Sequence, residues 1–257
     1  MRSKILLFLL VAFSISATAQ ENIGERDDNL KQMNKKGCEL ELRAGVNVGG
    51  ATPLGLPREI RHIDSFEPKF NGTIECAVTK WFGRWGVGSG LRLEAKRMAT
   101  GATVKNYHTE VIQNGDRVSG YFTGYNKTNY ESTNLTLPVT ANFRVSPRWK
   151  VRGGLFGSYC WNNKFNGYVS DGYLRNGTPT GEKVTFENGS SADYNFDKNL
   201  RRFNWGMQAG FSWNAYKHFS LFADLTYAFN NIFEKDFQTV AFTMHPIYLN
   251  AGFGYRF

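Results

Sequence analysis

The chain has 257 residues, a formal net charge of +9 and an aromatic content of 15%. Its mean hydropathy is −0.42, and after residue 20 no run approaches the roughly 18 apolar residues that a membrane-spanning helix needs. These figures exclude a protein that crosses a membrane with helices. They fit a soluble secreted β-protein and a membrane β-barrel equally well.

The N-terminal residues predict export. Residues 1–4 are basic, residues 5–15 are apolar and residues 17–19 supply the small side chains that a signal peptidase recognises. We therefore expect residues 1–19 to be a removable secretory signal peptide, with a retained N-terminal anchor as the alternative. Residues 20–37 are polar and lack periodicity, so they are expected to form a flexible periplasmic lead-in.

Eight stretches of the remaining chain alternate apolar and polar residues with a period of two, which predicts β-strands. In chain order they cover residues 39–48, 70–82, 85–95, 135–145, 149–161, 203–213, 219–229 and 245–257. Each is about 11 residues long, near the length that crosses a bilayer as a tilted strand. Because an even number of strands suits a closed antiparallel barrel, residues 38–257 are predicted to form one barrel domain.

The connections between these strands alternate in length. Short turns follow the second, fourth and sixth strands, at residues 83–84, 146–148 and 214–218. Long polar connections follow the first, third and fifth, at residues 49–69, 96–134 and 162–202. Short periplasmic turns and long extracellular loops are the habit of outer-membrane barrels.

The two faces of each predicted strand differ in chemistry. One face is apolar. The aromatic side chains near the strand ends are Trp81, Trp85, Trp149, Trp161, Trp205, Trp213 and Tyr227. Trp81 lies on the opposite face from the others and is expected to pack inside. The other face carries ten ionisable residues: Glu41, Arg43, Glu75, Arg92, Glu94, Lys96, Arg144, Arg152, Asp224 and Arg256. A soluble lipocalin-type barrel would turn these charges outward. The export signal and the unequal loops instead favour charges inside and lipid outside.

An eight-stranded barrel is only wide enough for side chains to fill its interior. The ten charges are therefore expected to pair across the lumen and to form a structural plug, because isolated buried charges are costly. An ion path or a catalytic site is the alternative role for this cluster. No catalytic, cofactor-binding or metal-binding residues are predicted.

The last predicted strand places Phe253, Tyr255 and Phe257 on its apolar face, and an aromatic residue ends the chain. A strand that pairs on both sides up to its last residue suits a closed barrel. We expect these three residues to act as a C-terminal signal for the barrel-assembly machinery.

Two segments resemble a known family. The run Leu135-Thr136-Leu137-Pro138-Val139-Thr140-Ala141-Asn142-Phe143, within residues 130–145, is similar to the proline-containing strand of the PorT-like outer-membrane β-barrel family. The ending Gly252-Phe253-Gly254-Tyr255-Arg256-Phe257 is similar to that family's last strand. The resemblance implies an outer-membrane β-barrel without enzymatic activity. One branch of the family assists export of secreted proteins, but no motif here carries that role over.

The cysteines and histidines leave alternatives open. Cys38, Cys76 and Cys160 lack metal-type spacing, and a disulfide between the first two is one possibility. A lipid-modifying enzyme would need a histidine beside a serine or carboxylate, for which the sequence offers His245 with Asp236 and His108 with Glu110. His62 and His218 complete the scattered histidines.

The sequence thus predicts an all-β protein of a bacterial outer membrane: a single eight-stranded antiparallel transmembrane β-barrel. We expect it to be a non-enzymatic structural or interaction protein, such as an accessory in envelope assembly or secretion, with a narrow channel or a lipid-modifying enzyme as alternatives. Its expected partners are membrane lipid, lipopolysaccharide and an envelope or secretion protein, and not nucleic acid. Basic loop residues expected to contact lipopolysaccharide phosphates are Arg58, Arg61, Lys105 and Arg175.

Overall fold

The computed structural model describes residues 23–113, 116–240 and 242–257. Within them lie one α-helix, α1 (Ile23–Asn34), a short 3-10 helix (Asp197–Asn199) and ten strands. The strands are β1 (Cys38–Thr52), β2 (Ile60–Pro68), β3 (Gly72–Phe82), β4 (Trp85–Gln113), β5 (Asp116–Arg144), β6 (Trp149–Asn176), β7 (Lys183–Asn195), β8 (Phe203–Asn214), β9 (Phe219–Ala228) and β10 (His245–Arg256). The predicted signal peptide, residues 1–19, lies outside the described residues.

Eight of the ten strands form a closed antiparallel circuit, in the order β4, β3, β1, β10, β9, β8, β6, β5 and back to β4. The circuit closes between the first and last strands, where β1 pairs with β10 from Glu41 opposite Arg256 to Thr52 opposite His245. These eight strands correspond to the eight predicted stretches, four of which run one or two residues past the observed strand ends. The predicted antiparallel all-β class is therefore confirmed.

Three strands of the circuit are far longer than predicted. β4 and β5 each have 29 residues and β6 has 28, so the expected loops 96–134 and 162–202 are largely paired strand. We call the part of β4–β7 beyond the circuit, residues 97–113, 116–133, 162–176 and 183–195, the strand extension. The prediction failed here because the alternation reverses: even positions of β4 that point inward are charged at Arg92 and Glu94 but apolar at Met98 and Val104. In the sequence, such a reversal of the alternation looks like the end of a strand.

The strand extension curls back on itself. β7 pairs along β6 and also meets β4, with Asp193 opposite Ile112. Register shifts interrupt the ladders at neighbouring levels, and Asn106 and Asp171 there have φ of 55° and 50°. Bulges bend strands and increase their twist. The aligned bulges thus explain how a flat continuation becomes a curved sheet around its own core.

Apolar and charged residues occupy opposite sides of the circuit. The outward side chains are large apolar residues that are about half exposed, for example Leu42, Val87, Val139, Leu155 and Leu225. The ten predicted charges all point inward and are buried. A second buried cluster, apolar in character, fills the strand extension around Phe165, Val169 and Phe233. The molecule therefore has a charged interior in its circuit and an apolar interior in its extension.

Helix α1 packs across the end of the circuit where the short turns lie. Leu30 and Met33, three residues apart on one face, are buried there, and Asp27 forms an ion pair with Arg148 of the turn between β5 and β6 at 2.6 Å. The sequence analysis expected a flexible lead-in at residues 20–37, whereas the structure has a docked helix over most of it. No helix among the described residues is long and apolar enough to cross a bilayer.

Candidate functional site: the closed interior and the extension cavity

The interior of the circuit holds twelve buried charged side chains, which we call the charge layer. They are the ten predicted residues Glu41, Arg43, Glu75, Arg92, Glu94, Lys96, Arg144, Arg152, Asp224 and Arg256, together with Glu39 and Lys150. Sequence reasoning left out the last two, although they share the inward parity of Glu41 and Arg152. Five carboxylates thus face seven cations across the lumen.

The centre of the charge layer is a chain of ion pairs that crosses from strand to strand. Arg152 of β6 donates from Nε and Nη2 to both carboxylate oxygens of Asp224 on β9, each at 2.6 Å. Arg43 of β1 contacts Glu41 at 2.7 Å and Glu75 at 3.4 Å, and Glu75 also accepts from Arg92 at 2.8 Å. Arg152 and Asp224 thus lie on strands separated by β8, while the contacts of Glu75 link the neighbouring strands β1, β3 and β4.

Both guanidinium groups of this centre also contact an aromatic ring. The Cζ atoms of Arg43 and Arg152 lie 5.6 Å and 5.7 Å from the centre of the Phe222 ring, which is buried between them. Cation–π contacts of this length stabilise a desolvated cation. The ring and the carboxylates pack together at this level, and a cavity lined by Arg43, Glu75 and Arg152 measures only about 10 Å³.

At the turn end, the charge layer meets α1. Glu39 pairs with Lys150 at 2.5 Å and with Arg144 at 3.6 Å. Arg144 also donates to the backbone carbonyl of Asn34, the last residue of α1, at 2.6 Å, and its Cζ lies 3.6 Å from the centre of the Trp81 ring. Trp81 is buried, as its parity predicted. The helix, the ring and the ion pairs close this end of the barrel.

Arg256 is the exception in the charge layer. It is fully buried and donates to the carbonyl of Lys217 at 3.1 Å. No carboxylate lies within 4.0 Å of it among the described residues. Its position in β10 opposite Glu41 still places it at the turn end beside the other charges.

The charge layer ends where the interior becomes apolar. Lys96 pairs with Glu94 at 2.7 Å, and its Nζ atom lies 5.3 Å from the Tyr248 ring centre and 5.9 Å from that of Phe156. Two residues further along β4, Met98 begins the apolar lining. The interior therefore changes from charged to apolar within two residues along β4.

Above this boundary lies a cavity of about 390 Å³, which we call the extension cavity. Its walls come from the end of β1, from β2, from the middle of β4 and β5, and from the approach to β10. The lining residues include Ile60, Phe66, Met98, Val104, Tyr107, Phe165 and Met244. Asn126 and Thr128 of β5 are the polar side chains deep in this lining. Sequence reasoning missed the cavity, because its walls lie in segments expected to be loops.

The histidines proposed for a lipid-modifying site have other contacts. Nδ1 of His108 lies 3.1 Å from the Thr239 carbonyl, and Nδ1 of His245 lies 3.1 Å from the Ala228 carbonyl. The carboxylate of Glu110 instead accepts from Arg117 at 2.7 Å. Among the described residues, neither histidine contacts the carboxylate suggested for it.

The remaining predicted residues lie at the surface or away from each other. Cys38, Cys76 and Cys160 are free thiols, so the proposed disulfide is not formed. Phe253, Tyr255 and Phe257 point outward and are about half exposed. The exposed basic residues Arg58, Arg61 and Lys105 lie at the extension end, and Arg175 there is half-buried.

An apolar exterior around a charged interior is the reverse of a soluble barrel, and comparison with known proteins agrees. A family model described as "Outer membrane protein beta-barrel domain" matches residues 19–234, most of the chain. The chain belongs to this outer membrane β-barrel family. Membership agrees with the outward apolar face and confirms the resemblance to an outer-membrane barrel, while the PorT-like branch stays a prediction.

Solved structures similar to this family member are outer-membrane proteins. Ail, the attachment invasion locus protein of Yersinia pestis, is 12% identical, with 86% of this chain and 100% of that chain covered and a TM-score of 0.40. OprG from Pseudomonas aeruginosa is 12% identical, with coverage of 86% and 97% and a TM-score of 0.37. Neisserial surface protein A is 11% identical, with coverage of 86% and 98% and a TM-score of 0.34. No curated protein sequence matches the chain.

Proposed function

We propose that the eight-stranded circuit spans the bacterial outer membrane, with the short turns and α1 on the periplasmic side and the strand extension outside the cell. The outward apolar face supports this arrangement. On β6, it runs between Trp149 and Trp161, which are both about half exposed. These residues lie roughly 40 Å apart along the strand, or about 30 Å along the membrane normal at the usual tilt.

The barrel serves as a closed, non-enzymatic scaffold. The observation that carries this proposal is the charge layer, whose ion pairs cross the lumen and leave a cavity of only about 10 Å³ beside Arg43 and Arg152. Helix α1 adds a second closure at the turn end through its contacts with Arg144 and Arg148. Neither closure requires an external ligand.

Single-channel recording tests the closed lumen. The purified protein, inserted into planar bilayers, is expected to give no conductance steps above those of the bare membrane. A 16-stranded porin, which leaves an aqueous channel, serves as the positive control for insertion and recording. Reproducible steps from this protein would contradict the closed scaffold and favour the narrow channel.

The strand extension is the part of this scaffold that meets other molecules. Loops and extensions on a rigid barrel commonly carry recognition, and this one is long, curved and internally packed. An accessory role in envelope assembly or secretion would need a protein partner bound there or at α1. Lipopolysaccharide phosphates would bind its exposed basic residues, such as Arg58 and Arg61.

Crosslinking in intact cells tests the interaction role. Photoreactive amino acids at exposed positions of the extension, such as Arg117, are compared with the same amino acid at the lipid-facing position Val139. A partner recovered in fixed ratio from the extension alone supports an accessory function. Recovery of equal amounts of the same proteins from both positions contradicts it.

A further inference from the structure

The extension cavity is enclosed but not sealed. Strand β3 begins at Gly72 and does not reach the level of the extension cavity. At that level β2 takes its place between β1 and β4. Among the described residues β2 pairs with β4 only, so no ladder joins β2 to the end of β1. At this seam an ideal Cβ on Gly50 would lie 2.6 Å from Met98 Sδ and 3.4 Å from Phe66 Cε2. The seam is therefore closed by side chains rather than by hydrogen-bonded backbone.

The rim of the seam is apolar on the outside as well. Leu56, Ile63 and Phe66 line the cavity and are 58%, 47% and 49% exposed. Large apolar side chains at the mouth of an apolar cavity favour entry of an apolar molecule. The seam lies just above the lipid-facing band of β1, which ends at Val48.

The lining excludes a charged ligand. None of the residues that form the cavity is ionised, and burial raises the pKa of Tyr107 so that its phenol stays neutral. An ion moved from water into such a lining would lose its hydration without gaining a counter-charge. The occupant must therefore be uncharged.

One polar atom in the lining has no partner. Asn126 is 7% exposed, and its Oδ1 atom makes no hydrogen bond among the described residues, while Nδ2 lies 3.4 Å from Thr128 Oγ1. Thr128 Oγ1 is in turn 2.6 Å from the Tyr194 hydroxyl. A buried acceptor without a donor is costly. A donor on a bound molecule would satisfy it.

We propose that the extension cavity binds an uncharged, mainly apolar molecule of the medium-chain alcohol class, with its hydroxyl donating to Asn126 and its chain along Met98, Val104 and Phe165. Size supports this class. An apolar cavity of about 150 Å³ holds one benzene ring, so a cavity of 390 Å³ admits a chain of roughly ten carbons. Binding here does not depend on whether the lumen conducts ions, so this inference is tested separately from the closed scaffold.

Photolabelling locates the binding site directly. The probe is 1-decanol carrying a diazirine on its chain, added to the protein in lipid nanodiscs, with the labelled peptides identified by mass spectrometry. Label is expected on β4 between Met98 and Tyr107. Unlabelled 1-decanol is expected to compete about tenfold better than decane, because only the alcohol donates to Asn126.

Three cavity variants and one lipid-facing control separate the cavity from general partition into lipid. Ala102→Trp fills the cavity and is expected to reduce labelling of β4 at least tenfold, whereas Val139→Trp adds the same ring on the lipid-facing side and leaves labelling unchanged. Gly50→Val, which pushes the flexible end of Met98 inward, gives the same loss by a smaller change if Ala102→Trp fails to fold. Asn126→Leu is expected to keep the labelling but to abolish the preference for 1-decanol over decane.

Other outcomes overturn the proposal. Label spread over lipid-facing side chains, and unaffected by a folded Ala102→Trp or Gly50→Val variant, would show partition into lipid and no site. Equal competition by decane and 1-decanol in the wild type would remove the role of Asn126. Heat-dependent migration on gels reports whether each variant has folded.

Discussion

At the scale of single residues, Arg152 and Asp224 form a bidentate ion pair in the barrel interior. Two parallel hydrogen bonds of 2.6 Å join fully desolvated groups on β6 and β9. The geometry matches the fork of a guanidinium to the two oxygens of a carboxylate. Removing one partner leaves the other charged, buried and without its hydrogen-bonded counter-ion.

We therefore predict that Arg152→Met lowers the free energy of unfolding by about 3–5 kcal/mol, the usual cost of breaking a buried ion pair by removing one partner. The double variant Arg152→Met, Asp224→Leu is expected to recover most of this loss, because both charges are then gone. Urea unfolding in lipid vesicles, followed by tryptophan fluorescence, measures both changes. Lys127→Met, which breaks an exposed pair with Glu67, is the matched control and should leave the midpoint unchanged.

A second prediction concerns pH and the N-terminal helix. The hydrogen bond from Arg148 lowers the pKa of Asp27 below its usual 3.8. A lowered pKa means that the contact stabilises the docked helix above pH 3.8 and is lost as the pH falls through the folded value. A spin label at position 31, in a cysteine-free background, should become mobile in acid. In Asp27→Asn it should be equally mobile at neutral and acidic pH, and a wild-type helix that stays immobile in acid would contradict the prediction.

At the scale of elements, the strand extension behaves as a packed unit with its own core. Phe165 lies at its centre, with ring centres 4.9 Å from Phe233, 6.2 Å from Phe196 and 6.5 Å from Tyr130. These contacts join β5 and β6 to the segment before β10. None of these aromatic contacts involves a lipid-facing side chain of the circuit.

Phe165→Ala is therefore expected to destabilise the extension by about 3–5 kcal/mol, as is usual for loss of a buried aromatic ring. Amide hydrogen exchange should increase throughout β7 and the outer halves of β4–β6 while the spanning halves stay protected. Leu137→Ala, at a lipid-facing position that is 52% exposed, is the control. Equal loosening of the spanning halves would show that the two parts unfold together.

The sequence predicted the circuit well and the strand extension poorly. The spanning parts were predictable because lipid on one side and a narrow lumen on the other impose an uninterrupted alternation at constant length. Beyond Lys96 the alternation reverses at Met98, and bulges at Asn106 and Asp171 then shift its phase. The charged residues could be assigned to one face from parity, but their partners could not, since pairs such as Arg152 with Asp224 join strands that are not adjacent. Helix α1 was not predicted because, between residues 26 and 34, only Leu30 and Met33 are buried.

At the scale of the whole molecule, closure depends on the last strand. Tyr255 pairs with Leu42, and the amide of Phe257 donates to the Leu40 carbonyl at 3.0 Å. The amide of Arg256 donates on the other side, to the His218 carbonyl at 2.7 Å. The end of β10 is thus hydrogen-bonded to both neighbours, and its outward aromatic residues lie in the lipid-facing band.

Removal of residues 255–257 is expected to prevent assembly, because β1 and β9 then lose the strand that joins them at the turn end. The truncated chain should be absent from the outer-membrane fraction and should migrate identically with and without boiling. Phe257→Trp keeps both an aromatic side chain and the backbone pairing, so it should assemble as the wild type does. A truncated chain that still migrates faster before boiling would contradict the assembly role of the C-terminus.

The unequal strand lengths also give the molecule a tall side and a low side. β4 continues for roughly 55 Å of strand beyond Lys96 at about 3.3 Å per residue, whereas β8 and β9 stop near the level of the lipid-facing band. A neighbour diffusing in the membrane therefore meets a sheet on one side and a shallow rim on the other. Any clustering of this protein in the membrane would be directional, with each molecule's orientation about the membrane normal deciding which neighbours it can touch.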